Sequence, residues 1–161
     1  MGTRSLETSA ARRLLMSRVR QHGTTPELIL RKALWNAGLR YRLRLSQRLP
    51  GRPDIIFASQ KLVIFVDGCF WHSCPIHGTR PKNNEEFWAC KLRRNQERDQ
   101  SVDAKLQADG WTVMRVWEHQ TKQEDELYAV VNAIRFQIEQ KQRSSQAKAK
   151  KVVRTPHNQG A

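Results

Sequence analysis

The 161-residue sequence has few acidic residues, few cysteines and no long apolar run. It contains 15 Asp and Glu residues against 29 Lys and Arg residues, so its formal net charge is +14. An excess of this size favours a polyanionic partner, above all nucleic acid. Three cysteines, an odd number, argue against a disulfide framework and for a reducing compartment. Since neither a membrane span nor a signal sequence is visible, we expect a cytoplasmic protein without a membrane partner.

Composition and length divide the chain into one domain and two basic flanks. Residues 1–23 are rich in arginine and predict a basic N-terminal arm or short helix. Residues 24–140 are long enough for one compact core, and we expect a single domain there. Residues 141–161 have the composition of a basic disordered tail.

Apolar periodicity within the domain predicts an α/β fold, with a mixed β-sheet flanked by helices. Residues 39–45 alternate apolar side chains with Arg40, Arg42 and Arg44, which predicts a strand with one basic face. The segment KLVIFV (61–66), which is apolar without a break from Leu62 to Val66, predicts a strand buried on both faces. The predicted element order is α-β-β-β-α-β-α, with further strands at 54–57 and 111–117 and helices at 24–38, 84–109 and 127–138.

One short stretch, VDGCFWHSCPIHG, carries three candidate metal ligands: Cys69, Cys74 and His77. Tetrahedral zinc needs a fourth, and His119 is the best candidate because it follows a predicted strand that could lie beside the strand before Cys69. A site closed by four protein ligands would be structural rather than catalytic. The alternative is a pair of unmetallated thiols with two surface histidines.

The same stretch holds Phe70 and Trp71, and Trp88 lies on the next predicted helix. These rings have two possible destinations. They pack into the core, which is the usual fate of a large aromatic residue, or they protrude and insert between base pairs of DNA.

Four polar residues suggest a nuclease centre. Asp54 begins a predicted strand after Pro53, and Asp67 lies at the end of the next one, an arrangement that nucleases use to bind Mg²⁺. The lysine expected after Asp67 is missing, and His72 is the natural substitute as general base. Glu27, in the first turn of the first helix, could reach the metal or its waters. Each of these residues also has an ordinary structural explanation. Asp54 could cap a turn, His72 could be a hydrogen-bonded structural histidine, and Glu27 could be favoured in the first helical turn by the helix dipole.

Four motifs together resemble the very short patch repair (Vsr) family of DNA mismatch endonucleases: PGRPD (50–54), VDGCFWHSCPIHG (66–78), EFWACKLRRNQERD (86–99) and GWTVMRVWEH (110–119). The resemblance implies a restriction-endonuclease-like fold with a structural zinc. It also implies Mg²⁺-dependent nicking 5′ of the thymine in a G·T mismatch, the product of 5-methylcytosine deamination. The implied partners are mismatched double-stranded DNA and, functionally, a DNA cytosine methyltransferase, and we expect a monomer.

The resemblance also implies roles for individual residues. Asp54 and the backbone carbonyl of Val66 would bind magnesium, Glu27 would bind its waters, and His72 would be the catalytic histidine. Side chains that enter the DNA stack would be Met16, Phe70, Trp71 and Trp88. We expect Arg40, Arg42 and Arg44 to contact DNA phosphates.

Two features depart from the best-known members of that family. Those members have a histidine at the position of Asp67, and they bind zinc with three cysteines and one histidine. Asp67 is therefore an additional catalytic or metal-binding candidate, or a group that acts through a neighbour. The zinc set expected here is Cys69, Cys74, His77 and His119.

Two rival functions remain open from the sequence. A restriction-type endonuclease would use the same centre to cut fully paired DNA, and a zinc-dependent DNA-binding module would not cut at all. A zinc deaminase is disfavoured because the His-x-Glu motif is absent and the zinc site is closed.

Overall fold

The computed structural model describes residues 22–79 and 81–153 of the chain. The predicted arm at 1–23, which includes Met16, lies almost wholly outside this part, and so does the end of the predicted tail. The described elements are α1 (Thr25–Asn36), β1 (Ile55–Phe57), β2 (Leu62–Asp67), α2 (Glu85–Ala108), β3 (Thr112–Trp117) and α3 (Glu124–Val153). Short 3-10 turns follow β1 at Ala58–Gln60 and β3 at Glu118–Thr121.

β2 is the central strand of the three-stranded mixed sheet that these residues form. β1 pairs with it antiparallel, and β3 pairs with it parallel, with Asp67 opposite Trp117. Parallel strands end at the same edge of a sheet. The loop after β2 and the turn after β3 therefore leave the sheet side by side, and the candidate site lies at this edge.

Helices cover both faces of the sheet. On one face, α1 and α3 pack against β2 in a core that contains Leu34 and Ile64, both fully buried. On the other face, Leu106 of α2 packs with Val63. Since neighbouring residues of β2 enter opposite cores, the strand is buried on both faces, as its apolar run predicted. The predicted α/β fold with a mixed sheet and flanking helices is confirmed.

The predicted strand at 39–45 was wrong. Only Arg42 pairs with the sheet, in an isolated antiparallel bridge in which its N–H and C=O both bond Ile56 at 2.8 Å. Tyr41 and Leu45 would face the same side of a strand, yet they pack against opposite cores. β1 is only three residues long, so its free edge is too short to pair with a strand of seven residues. The alternation of apolar and arginine residues at 39–45 therefore belongs to a loop that packs against the domain.

The boundary of the predicted disordered tail was also wrong. α3 continues to Val153, so residues 141–153 are helical. This segment contains no Gly or Pro and is rich in Lys, Gln, Ala and Arg, all of which favour the helix. The basic composition of residues 141–153, together with the lack of a continuing apolar face, had suggested disorder. None of the described helices has the length and apolar character needed to cross a membrane.

Candidate active site and metal centre

The four predicted zinc ligands come together at the edge where β2 and β3 end. Cys69 and Cys74 lie in the loop after β2, and His119 lies in the turn after β3. The Cys69 Sγ is 3.2 Å from His119 Nδ1, and the Cys74 Sγ is 3.7 Å from the same nitrogen. With His77, the ligand atoms all lie within 4.8 Å of one another.

This cluster fits a tetrahedral metal ion. Bonds of about 2.0–2.3 Å from zinc to nitrogen and sulfur place neighbouring ligand atoms about 3.3–3.8 Å apart. Both thiols are buried, and burial raises the pKa of Cys69; a bound cation would stabilise its thiolate. The loop is closed by backbone hydrogen bonds from Cys74 N–H to Cys69 O (2.9 Å) and from Gly78 N–H to Cys74 O (2.7 Å). A side chain at Gly78 would collide with the Cys74 carbonyl at 2.4 Å.

Half-buried Asp54 and buried Glu27 lie beside this edge. Asp54 precedes β1, and its Oδ2 accepts the Val66 N–H at 2.8 Å. Glu27 is only 2% exposed and accepts hydrogen bonds from the Gly23 N–H (2.8 Å), the Thr24 hydroxyl (2.9 Å) and Arg31 (3.0 Å). The same arginine donates to the Asp54 backbone carbonyl at 3.1 Å and so ties α1 to the start of β1.

The environment of Asp54 disfavours its negative charge. Burial raises the pKa of Asp54 from 3.8 to about 6, the Val66 N–H lowers it, and the charge of Glu27 raises it. Only one oxygen takes the Val66 hydrogen bond, and the other, Oδ1, is 3.9 Å from the His22 ring. A carboxylate in such a position fits a divalent cation, which would balance the charge that burial disfavours.

His72 is held by a residue that sequence reasoning missed. Its Nδ1 lies 2.5 Å from Oδ2 of Asp99 on α2. One turn earlier on the same helix, the Asn95 amide donates to the Trp71 backbone carbonyl at 3.0 Å. α2 therefore presents two polar residues, four positions apart, to the loop after β2. Their four-residue spacing, which places both on one face of the helix, was the only sequence signal for these contacts. Such pairs are too common in polar helices to identify a functional residue by themselves.

Asp67 faces an arginine that was also missed. Both its oxygens accept from Nη1 of Arg115, at 3.0 and 2.9 Å, and the aspartate is 4% exposed. Its Oδ1 is 3.8 Å from His72 Nδ1. Hydrogen bonds from the guanidinium to Asp103 and Asp67 raise the pKa of Arg115, although burial opposes this. A lone arginine among the apolar residues of β3 was the sequence signal for a buried ion pair.

The three predicted intercalating aromatics that lie in the described residues contact one another outside both cores. Phe70 lies 5.0 Å from Trp71 and 5.3 Å from Trp88, measured between ring centroids. All three rings are half-buried, and the Lys91 ammonium lies over both indoles at 5.1 and 5.2 Å. A half-exposed aromatic cluster capped by a cation is a surface suited to stacking.

One cleft of about 1020 Å³ is lined by the carboxylates, His72 and one ring of the aromatic cluster. Its lining includes the acidic residues Glu27, Asp54, Asp67 and Asp99, together with His72, Trp71 and the basic residues Arg48, Arg52, Lys91, Arg98 and Arg115. The predicted phosphate contacts lie on exposed loop positions. Arg40 stacks on Trp35 at 3.9 Å, and Arg42 and Arg44 are exposed.

Comparison with known proteins identifies relatives over most of the chain. Residues 5–77 match the family described as DNA mismatch endonuclease Vsr. The chain is 47% identical over 137 residues to the type II nicking enzyme V.NaeI of Lentzea aerocolonigenes, covering 83% of this chain and 82% of the relative. It is 46% identical to the type II nicking enzyme V.XorIIP of Xanthomonas oryzae pv. oryzae, over 66% of this chain and 79% of the relative. It is 38% identical to the DNA mismatch endonuclease Vsr of Escherichia coli, over 68% and 70% of the two chains.

Proposed function

This chain belongs to the Vsr family of DNA mismatch endonucleases, and from that membership we propose that it nicks one strand of duplex DNA immediately 5′ of the thymine in a G·T mismatch. The observation that carries the proposal is the shared cleft, in which Asp54 and His72 lie together with the half-exposed ring of Trp71. Family membership makes the chain a nicking endonuclease that acts on DNA. The mismatch, its origin in 5-methylcytosine deamination and a functional link to a cytosine methyltransferase belong to the proposal.

The proposed catalytic metal is Mg²⁺, which Asp54 and the Val66 backbone carbonyl would hold and whose waters Glu27 would bind. Among the described residues, Asp54 Oδ1 makes no hydrogen bond, and it lies near buried Glu27; both observations support this assignment. When bound, magnesium supplies positive charge to the scissile phosphodiester and to the leaving oxygen. Asp54 fixes the position of that charge, because its other oxygen is held by β2.

His72 is the proposed general base. Asp99 accepts a hydrogen bond from Nδ1, which fixes the tautomer and the plane of the ring. Nε2 is then the nitrogen that receives a proton from the attacking water, and Asp99 stabilises the imidazolium that forms.

Zinc is the proposed ion for Cys69, Cys74, His77 and His119. Its role is structural, since the four protein ligands close the coordination shell. The loop that the ion would brace also carries Phe70, Trp71 and His72. A rigid loop base keeps the rings and the catalytic histidine in a fixed relation to each other.

Mismatch recognition is assigned to Phe70, Trp71 and Trp88, with Met16 as a further candidate from outside the described residues. A mismatched step unstacks at lower cost than a paired step, so ring insertion favours it. Arg40, Arg42 and Arg44 would hold the phosphate backbone. We assign the endonuclease domain, acting as a monomer, to residues 24–140, which contain both cores, and α3 continues beyond its end.

The test uses two labelled duplexes of one sequence, identical except that one contains a G·T mismatch. We expect a single nick 5′ of the thymine, only in the mismatched duplex and only with Mg²⁺. The Asp54→Asn variant is the control for contaminating nucleases. Equal cutting of both duplexes would favour the restriction-type alternative. Binding without any nick would favour a DNA-binding module.

A further inference from the structure

Arg115 links three parts of the site through one guanidinium group. Its Nε and Nη2 bond the two carboxylate oxygens of Asp103 at 3.0 and 2.8 Å. Its Nη1 bonds both oxygens of Asp67, and its Nη2 also reaches the backbone carbonyl of Asp99 at 3.4 Å. The arginine lies on β3, Asp67 ends β2, and the other two acids lie on α2. All three guanidinium nitrogens are therefore engaged by protein oxygens.

An arginine with its nitrogens occupied in this way is a poor phosphate ligand. A guanidinium binds a phosphate through the same N–H fork that Asp103 and Asp67 already occupy here. The guanidinium group also packs over the Phe65 ring, with Arg115 Cζ 4.8 Å from the ring centroid. Although Arg115 lines the cleft, its contacts suit a role in placing other residues.

Arg115 is connected to the proposed general base, His72, through Asp99. Arg115 Nη2 lies 3.9 Å from Asp99 Oδ1, while Asp99 Oδ2 is the oxygen bonded to His72. The bidentate bond to Asp103, one helical turn further along α2, fixes this part of the helix against β3. Movement of α2 at this point would displace the carboxylate that orients the His72 ring.

Asp67 differs from Asp54 in what its oxygens do. Both Asp67 oxygens accept hydrogen bonds from Arg115 Nη1, whereas Oδ1 of Asp54 has no hydrogen bond to any described residue and lies 3.9 Å from the His22 ring. A buried aspartate in a bidentate ion pair has its charge already balanced, so a metal ion gains little from it.

We propose that Arg115 is a positioning residue for the nicking reaction, holding Asp99 against His72, and that Asp67 is the counter-ion of Arg115 rather than a magnesium ligand. This rests on the proposed function, because it assigns His72 the role of base.

The first experiment is a double-mutant cycle between Arg115→Met and Asp99→Asn. Single-turnover nicking is measured with enzyme in excess, on whichever duplex the wild-type chain cuts, so that the rate constant does not depend on the active fraction. We expect Arg115→Met to lower the maximal rate constant about 10–100-fold, with the enzyme concentration that gives half of this rate within about twofold of wild type. In the Asp99→Asn background the same change should cost less than about twofold, because both substitutions remove one interaction.

Arg135→Met is the matched control. Arg135 is also a half-buried arginine with a side-chain partner, Asn132 at 3.4 Å, but it lies on α3 away from the cleft. It should nick at the wild-type rate. If Arg115→Met does not fold, Arg115→Lys replaces it in the cycle, because lysine keeps the charge but lacks the fork that spans Asp67 and Asp103.

The second experiment tests the counter-ion claim with Asp67→Asn. We expect its nicking rate to stay within about threefold of wild type, because the amide oxygen still accepts from Arg115 and the bond to Asp103 remains. Its magnesium requirement should be unchanged. An Asp67→Asn variant as inactive as Asp54→Asn, or one that needs more magnesium, overturns the counter-ion claim. Additive losses in the cycle overturn the positioning role, and a wild-type chain that nicks neither duplex overturns the proposed function itself.

Discussion

His72 and Asp99 are 27 positions apart in the chain, yet Nδ1 of one lies 2.5 Å from Oδ2 of the other. The contact joins the loop after β2 to the middle of α2, the two elements that also carry the aromatic cluster. A histidine held in this way has one nitrogen fixed and one left for chemistry, which is the arrangement a general base requires.

The His72 assignment predicts that His72→Ala lowers the nicking rate about 10²–10⁴-fold, while affinity for DNA stays within about threefold. The loss reflects the missing proton acceptor, since the ring is not part of either core. Glu97→Gln is the control, because Glu97 is an exposed carboxylate on the same helix whose partner is Arg93. If His72→Ala nicks as fast as this control, the base must be sought elsewhere in the cleft.

Asp54→Asn should abolish nicking and at the same time raise thermal stability. The carboxamide cannot neutralise a divalent cation, so the reaction loses its metal. The Asp54 pKa is raised to about 6 in the folded chain, so the folded state binds this proton more tightly than the unfolded state. Stability is therefore lost as pH rises from 3.8 through about 6, and at pH 7 the ionised carboxylate costs at most about 3 kcal/mol.

Replacing Asp54 by asparagine removes that cost, and each kcal/mol recovered raises Tm by about 2–4 °C in a chain of this size. Melting curves at pH 7 without added magnesium check this, with Asp109→Asn, an exposed carboxylate at the end of α2, as the control. A Tm that falls well below wild type would mean that Asp54 is structural, and the loss of nicking would then carry no information about the metal.

Local sequence patterns predicted the Cys/His cluster, because three of its residues lie in one short loop and the fourth follows the neighbouring parallel strand. The helices and β2 were predicted for a similar reason: their apolar periodicity is a property of consecutive residues. The predicted strand at 39–45 failed because pairing depends on the partner edge, and the sequence does not reveal that β1 offers only three residues.

Asp99 and Arg115 escaped prediction for a different reason. Asp99 is one of many charged residues in a strongly basic chain. Arg115 is the one charged residue of β3, but its partners are known only when α2 packs across β2 and β3. Their partners lie 12 to 48 positions away. The interpretation of Asp67 depends on the same packing. From the sequence alone it was a candidate metal ligand, whereas the structure shows that it forms an ion pair with Arg115.

The zinc assignment predicts about one zinc ion per purified chain. Because metal binding to such a cluster contributes about 10–16 kcal/mol in small zinc modules, its removal should lower Tm as well as activity. Cys69→Ser and His119→Ala should behave like the stripped protein. Cys90→Ser is the matched control, since Cys90 is a half-buried thiol outside the cluster. A metal-free chain with unchanged Tm and normal nicking would exclude a structural zinc.

The aromatic cluster provides the last prediction, through the double variant Phe70→Ala/Trp71→Ala. If these rings were part of a core, their removal would cost several kcal/mol and would lower stability, zinc content and every activity together. They lie outside both cores and are half-exposed, so we expect a Tm close to wild type, with zinc retained.

Non-specific DNA binding should also persist in this variant, because it depends on the basic surface. Preference for the mismatched duplex should be lost, since the insertion that favours a weakly stacked step is gone. Affinity for G·T and matched duplexes is compared in the same salt, with Tyr128→Ala/Phe136→Ala, two exposed aromatics on α3, as the control pair. A large fall in Tm with the mismatch preference intact would return both rings to a structural role and would leave recognition of the mismatch to residues elsewhere in the cleft.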